Sequence, residues 1–350
     1  MARILTVGVV LLLVACQQDA VTLRLSGETM GTTYNITIVD KGASLNEDDV
    51  QAAVDATLAE VNAAMSNWDP NSEVSQFNAH KSTEPFEVSA ALAKVMAAAN
   101  DVHENSDGQF DVTLGPLIEL WGFGARDADS PVPSDDAISE ALASVGQTAT
   151  LELVGEEPRT LTKTKFPETT VYLAAIAKGY GVDEVAATLE GLGVTDYMVE
   201  IGGDLVTSGE NPDGRAWRVG VERPDAQTRP LDDQSKKVER LVDLTDLGLA
   251  TSGDYRNYFE QDGVRYSHII DAQTGRPITH NTASVTVVAD NAMLADAWAT
   301  ALLAVGQERG LALSEEHELA AMFITRDMSE EEMQFVTTAN AKFEALQVDQ

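Results

Sequence analysis

The chain has 350 residues, 44% of them hydrophobic, and a formal net charge of −34 at pH 7. That length suits one large domain or two ordinary ones, and the apolar content is enough to bury a substantial core, which argues against global disorder. The charge argues against nucleic acid as a partner, because phosphate binding needs a basic face, and it describes a solvated surface without fixing the fold.

Met1-Ala2-Arg3 makes a short positive start, and Ile4–Ala15 is an apolar run of signal-peptide length, too short to span a bilayer. Cys16, the single cysteine, ends that run, so no intramolecular disulfide is possible. Leu13-Val14-Ala15-Cys16 resembles a bacterial lipobox; the alternative is an ordinary signal peptide with an incidental cysteine. On the lipobox reading residues 1–15 are a signal peptide, Cys16 carries lipid, 16–20 form a linker and 21–350 the folded domain. The protein would then be lipid-anchored to a bacterial membrane and face the periplasm.

Val21–Ser26 and Thr33–Val39 alternate apolar and polar residues. They predict a hairpin that turns at Gly27-Glu28, with Met30-Gly31-Thr32 opening the second strand. Gly31 marks either close approach of backbone or ligand or a simple bulge. Val50, Val54, Leu58, Val61 and Met65 predict a helix over 46–65, capped by Asn46, with acids in its first turn. Pro70 prevents continuation, and Asn71–Asn78 reads as a polar loop. Trp68 is either a core plug or a flat surface for an aromatic ligand. Ser89 caps a second helix running to Glu104, and Gly108–Thr113 reads as a turn and short strand. Leu114–Gly124 reads as a short helix with Pro116 in its first turn. An acidic loop follows over 126–133, then a third helix, Ser134–Val145, ended by Gly146.

Strands with polar turns fill 148–170. Tyr172–Leu192 opens on small residues and then runs as a helix. Lys178, set among Ala174, Ala175, Ala177 and Gly179, either lies beside a ligand or is an exposed helix lysine. Asp196–Ile201 and Leu205–Ser208 predict strands around a Gly202-Gly203-Asp204 turn. Further strands are predicted at Ala216–Val221, Leu241–Asp246, Leu249–Ser252 and Leu319–Thr325, with a polar loop at Pro224–Lys237. Met328–Leu346 is an acidic tail with some helical spacing. No repeat of solenoid period, Walker-type loop or Cys/His cluster of zinc spacing occurs.

Asp296 and Thr300 stand four apart, so on a helix they share one face. A carboxylate and a hydroxyl there can hold a hard cation such as Mg²⁺, which takes its other ligands from water and substrate phosphates. The alternative is helix capping by Asp296. His268 sits in a strand, Tyr266–Asp271, where it is either a general base or structural. Asp271 either orients it or begins the following turn.

Several segments, in order, carry a family likeness: Met30-Gly31-Thr32, Met65-Ser66 through Phe77-Asn78, Gly108 to Trp121, Ala175-Ile176-Ala177-Lys178-Gly179 and Ile201-Gly202-Gly203-Asp204. They continue with Ala250-Thr251-Ser252-Gly253-Asp254-Tyr255, Ser267-His268-Ile269-Ile270-Asp271 with Thr274-Gly275, and Ala295-Asp296 to Thr300. Together they resemble the FAD:protein FMN transferases, the ApbE-type flavin transferases, over about Gly27 to Gly306.

The resemblance implies an α+β domain of T-fold-like architecture, mainly antiparallel sheets with packed helices. It implies Mg²⁺-dependent transfer of the FMN half of FAD to a threonine hydroxyl of a target redox protein, with AMP leaving. The acceptors it implies are subunits of membrane redox complexes that carry a threonine flavinylation motif. An FAD diphosphatase and a non-catalytic FAD-binding lipoprotein are the alternative readings.

By resemblance, the Ala175 carbonyl, Asp296 and Thr300 hold Mg²⁺, and Lys178 contacts FAD through a phosphate. Met30, Trp68, Gln109, Phe110 and Asp111 line the flavin or adenine pocket, Ile270 lies against the cofactor, and His268 is the base for the incoming threonine. Asp254 supports the site. Tyr172 stands where relatives commonly carry an acid, so its cofactor contact is limited to its hydroxyl. Ala299 offers no ligand where some relatives have an acid, and Ala272 replaces a usual turn proline.

Overall fold

The computed structural model describes residues 20–42, 45–123, 131–155, 158–224, 238–255, 257–329 and 333–348. The expected signal peptide, Cys16 and nearly all of the expected linker lie outside the described residues, as does most of the loop expected over 224–237.

The chain opens with a hairpin, β1 (Val21–Thr29) and β2 (Thr32–Asp40), and helix α1 (Glu47–Met65). Next come α2 (Glu73–Ala79), β3 (Phe86–Val88), α3 (Ala90–Asn105), α4 (Gly115–Trp121), α5 (Asp135–Leu142), α6 (Gln147–Thr150), β4 (Leu151–Val154) and β5 (Arg159–Lys163). The middle holds α7 (Ala177–Gly191), β6 (Tyr197–Ile201), β7 (Asp204–Ser208), β8 (Trp217–Glu222), β9 (Val238–Leu244) and β10 (Gly248–Gly253). Short strands follow, β11 (Tyr258–Gln261), β12 (Val264–Ser267), β13 (Ile270–Asp271) and β14 (Arg276–Pro277), then the long β15 (Thr282–Ala289). The chain closes with α8 (Ala292–Val305), α9 (Gln307–Glu316), β16 (Ala320–Asp327), β17 (Gln334–Ala339), α10 (Ala341–Glu344) and β18 (Gln347–Val348).

Eight strands form the main sheet in the order β1-β2-β6-β7-β10-β15-β16-β17. Its paired strands run antiparallel. Helices α1, α7 and α8 pack on one face through Val54, Leu58, Val185 and Leu189 at one end and Ala295, Ala299 and Leu302 at the other. A smaller sheet, β18-β9-β8, covers part of the opposite face through Val219, Val242 and Leu244. Covered on both sides, β15 is buried from Thr282 to Val288, so its alternating polar residues Thr282, Ser284 and Thr286 are buried along with the apolar ones. Helix α8 is apolar nearly all round and buried accordingly. Each side chain such as Leu302, wholly removed from water, contributes roughly 1.5–3 kcal/mol.

The expected caps form, with Asn46 and Ser89 accepting the amides of Asp49 and Leu92, and Ser134, expected only as the start of a helix, likewise accepts the Ala137 amide. Other expectations need correction. The first hairpin turns at Met30-Gly31, both at positive φ (50° and 74°), while Gly27-Glu28 stays in the strand. Two consecutive positive-φ residues match the twist of the strands in a two-residue turn. The stretch expected as a polar loop after Pro70 contains α2, started by Ser72, whose hydroxyl accepts the Ser75 amide at 3.2 Å. Residues 108–113 form no strand. There the Asp111 carboxylate accepts the amides of Thr113 (2.6 Å) and Gln147 (2.9 Å), replacing ladder bonds with side-chain bonds. Gly146 begins α6 rather than ending α5. The acidic tail carries β17, paired along β16, and among the described residues its one helix is the short α10.

Candidate active site

The site is built where α7 and α8 cross. A Cβ on Gly179 would lie 2.3 Å from the Ala292 carbonyl oxygen, so only glycine permits this approach. Asp183 fixes the crossing: its two oxygens accept the amides of Ala292 and Met293, each at 2.9 Å. Burial pushes its carboxyl up to about 6, against the pull of those two amides. Asp296, one turn further along α8, accepts the Gly179 amide at 3.2 Å. The adjacent Lys178 ammonium ion-pairs with Asp204 and lies 3.9 Å from the second Asp296 oxygen. Burial raises the Asp296 carboxyl well above the usual carboxylate range; Lys178 opposes this and Asp204 adds to it. On the same face of α8, the Thr300 hydroxyl lies 2.8 Å from that of Ser252 on β10.

Residues 171–176 form a strap over this crossing without helix or strand. Asn67 and Asn78 hold it: Asn67 bonds the Val171 carbonyl (2.7 Å) and Leu173 amide (2.9 Å), and Asn78 both backbone groups of Val171. The Tyr172 amide donates to the Val112 carbonyl at 2.7 Å, and burial raises its phenol pKa. On one side of the strap lies a cavity of about 240 Å³, lined by Gln109, Phe110, Asp111, Tyr172, Ala175, Lys178, His268, Ile270, Asp296 and Thr300, among others. On the other side a chamber of about 210 Å³ is lined by Met30, Asn62, Met65, Trp68 and Ala177, and shares Tyr172, Ala174 and Lys178 with the first.

His268 follows the free-standing β11–β12 hairpin, whose Phe259 and Tyr266 stack on each other and against Phe123 and Trp121. Its Nδ1 lies 2.8 Å from the Asn257 carbonyl. A carbonyl only accepts, so the ring proton sits on Nδ1 and Nε2 is the basic nitrogen of the neutral ring. Burial lowers the imidazole pKa, while the Asn257 carbonyl and Asp254 pull the other way.

The structure thus gathers every proposed ligand-contacting residue around two adjoining chambers. Details differ from expectation. Trp68 is 74% exposed and plugs no core. The Asp111 carboxylate is spent on Thr113 and Gln147, whereas the side-chain Oε1 of Gln109 is buried with no hydrogen-bond partner among the described residues. Asp271 accepts the amides of Gln273 and Thr274, so it begins the turn and does not orient His268. Asp254 is clamped by Arg326 through bonds of 2.8 and 2.5 Å. Ala299 is wholly buried in the core, away from the cavity lining. Sequence reasoning missed Asn67, Asn78, Asp183 and Asp204 as holding groups. Only the Gly-Gly turn before Asp204 offered a signal.

Asp296 and Thr300 offer a buried carboxylate and a hydroxyl, hard oxygen donors that suit Mg²⁺. Among the described residues no group of three or more His, Cys, Asp or Glu side chains forms a metal cluster. A cation here would therefore complete its shell with backbone carbonyls, water and substrate oxygens.

The antiparallel α+β frame that carries this cleft is the fold of the flavin transferases that the chain matches. The sequence model of the ApbE family matches residues 30–323, and the chain belongs to that family. It is 43% identical over 316 residues to the FAD:protein FMN transferase of Vibrio cholerae, covering 90% of this chain and 91% of that one. It is 38% identical over 345 residues to the protein of the same name from Haemophilus influenzae, covering 98% and 96%. Among solved structures it resembles the flavin transferase ApbE of Vibrio cholerae (TM-score 0.81, 40% identity, 93% of this chain and 99% of that one). It likewise resembles the apo flavinyl transferase ApbE of Pseudomonas stutzeri (TM-score 0.82, 38% identity, 93% and 97%).

Proposed function

We propose that this protein is an FAD:protein FMN transferase that moves the FMN half of FAD onto a threonine hydroxyl of a redox protein and releases AMP. The chain is a transferase by family, its relatives bearing that name. The observation that carries the finer reading is the meeting of two chambers at Lys178, with His268 and the Asp296–Thr300 pair lining one of them. FAD has two ring systems joined by a diphosphate, so its charged middle would fall at Lys178.

The chemistry follows from the groups present. The acceptor oxygen attacks the FMN-side phosphorus, its proton passes to His268 Nε2, and the bond to the AMP phosphate breaks. Lys178 offsets charge on the phosphate oxygens. Mg²⁺, held by Asp296, Thr300 and the Ala175 carbonyl, would supply Lewis-acid neutralisation of the diphosphate. Trp68 and Met30 wall one ring system, and Gln109, Phe110 and Ile270 the other. A protein that only stored FAD would need neither base nor cation site. An FAD diphosphatase would use the same groups with water in place of threonine.

We also propose that Cys16 carries the lipid anchor and that the domain faces the periplasm, next to acceptor subunits of membrane redox complexes. Among the described residues no helix is long and apolar enough to cross a membrane.

Incubation of the lipid-free protein with FAD, Mg²⁺ and membranes from cells lacking the enzyme tests the function. A flavin-fluorescent band on a denaturing gel, with AMP released, is the expected result. AMP without a labelled band identifies a diphosphatase; neither product, with FAD bound, rules out the enzyme.

A further inference from the structure

The Gly202-Gly203-Asp204 turn gives the reaction centre a residue that touches no ligand space. Both glycines have positive φ (59° and 99°), and the turn is pinned by the Gly202 amide on the Thr33 carbonyl (3.0 Å) and the Gly203 amide on Glu200 (2.6 Å). Asp204 therefore enters β7 at a fixed position, only 2% exposed, paired in register with Ile201. Its carboxylate holds the Lys178 ammonium. Lys178 lines both chambers and Asp296 lines one, but Asp204 lines neither. Three segments, at 178, 204 and 296, thus set one ammonium between two buried carboxylates, in contact with Asp204 and 3.9 Å from Asp296.

We propose that Asp204 is a positioning residue that holds Lys178 back from Asp296, leaving the Asp296 carboxylate open to a divalent cation while Lys178 stays available to an anionic diphosphate. Without Asp204, the half-buried ammonium is drawn to the nearest remaining carboxylate, because opposite charges attract strongly in a partly desolvated cleft. Here that carboxylate is Asp296, and the ion pair so formed competes directly with the cation. The charge balance fits this arrangement. Lys178, Asp204 and Asp296 together carry one net negative charge when ionised. A bound divalent cation turns that to one net positive charge, the sign a diphosphate needs.

The inference rests on Asp296 and Thr300 as the cation site. Its test is calorimetric titration of Mg²⁺ into the folded, FAD-free protein as wild type, Asp204→Asn, Lys178→Met and the double variant. Asp204→Asn should raise the Mg²⁺ Kd about tenfold. In the Lys178→Met background the same change should move it less than twofold, because no ammonium remains to collapse. A purely structural role for Asp204, or direct electrostatic help to the cation, would weaken Mg²⁺ equally in both backgrounds, and that result overturns the proposal. So does an unchanged Kd in Asp204→Asn. Asp204→Ser repeats the comparison if the Asn variant does not fold. Wild-type protein that binds no Mg²⁺ would instead remove the cation-site reading.

Discussion

The Asn78 carboxamide closes on both backbone groups of Val171: its nitrogen donates to the carbonyl at 2.8 Å and its oxygen accepts the amide at 2.7 Å. Val171 begins the strap that carries Tyr172, Ala174 and Ala175 into the cleft. Asn67 also donates to the Val171 carbonyl, so only the amide depends on Asn78 alone. Asn78→Ala orphans a buried N–H and should cost about 1–3 kcal/mol in denaturant unfolding, with transfer reduced in the folded fraction. Asn78→Asp keeps the acceptor and should cost less. Equal losses for the two would refute this division of labour.

Gly179 gives a prediction with an unusual sign. Gly→Ala within a helix normally stabilises by about 1 kcal/mol. Here the added methyl meets the Ala292 carbonyl at 2.3 Å, so α7 and α8 must separate. Overpacking of this kind costs about 1–3 kcal/mol. Gly179→Ala should therefore lower stability and weaken Mg²⁺ binding, as Asp296 loses the Gly179 amide. A stabilised variant would contradict the close crossing.

Trp68 is exposed at the rim of the smaller chamber, so its removal should leave stability within about 0.5 kcal/mol of wild type. Trp68→Ala should raise the KM for FAD roughly tenfold with kcat unchanged, the mark of uniform binding lost. Trp68→Phe should retain most of the affinity. A fall in kcat with KM intact would place Trp68 nearer the reacting phosphate than this account allows.

His268 must be neutral to take a proton. Burial lowers its pKa from the ordinary value of about 6.5, so the neutral ring persists as pH falls through that value. With Mg²⁺ saturating, so that the Asp296 carboxylate stays ionised, the transfer rate should hold level from pH 8 past 6.5 and decline only below it. The same shift makes protonation favour the unfolded chain, so this contribution to stability is present above 6.5 and lost as pH falls. A rate already halved at pH 7 would contradict the burial argument.

Much of this was legible in local pattern. Asn46, Ser89 and Ser134 announced helix starts because capping is chemistry within one turn. Asp296 and Thr300 shared a face because helical spacing requires it. Helix α2 escaped because seven polar-rich residues show too little periodicity, and β17 because its acidic neighbourhood outweighed its short alternation. The turn at Met30 escaped because a methionine at positive φ is unexpected; glycine nearby misplaced it by three residues. The Lys178–Asp204 pair and the Asn67–Asn78 bracket join distant segments, and only the sheet order β2-β6-β7-β10 and the packing of α7 on α8 bring them together. The family likeness found the cleft residues, but it could not show that the Asp111 carboxylate is spent on its own loop.

The most direct test of the account is FAD affinity and flavin transfer measured side by side on His268→Ala. Its imidazole lines the cleft and is anchored only through Nδ1 to the Asn257 carbonyl among the hydrogen bonds described. The account predicts an FAD Kd within about threefold of wild type and transfer slowed by a factor on the order of 10²–10⁴, the usual contribution of a positioned base. Transfer at the wild-type rate with FAD bound would remove His268 from the reaction and contradict the account.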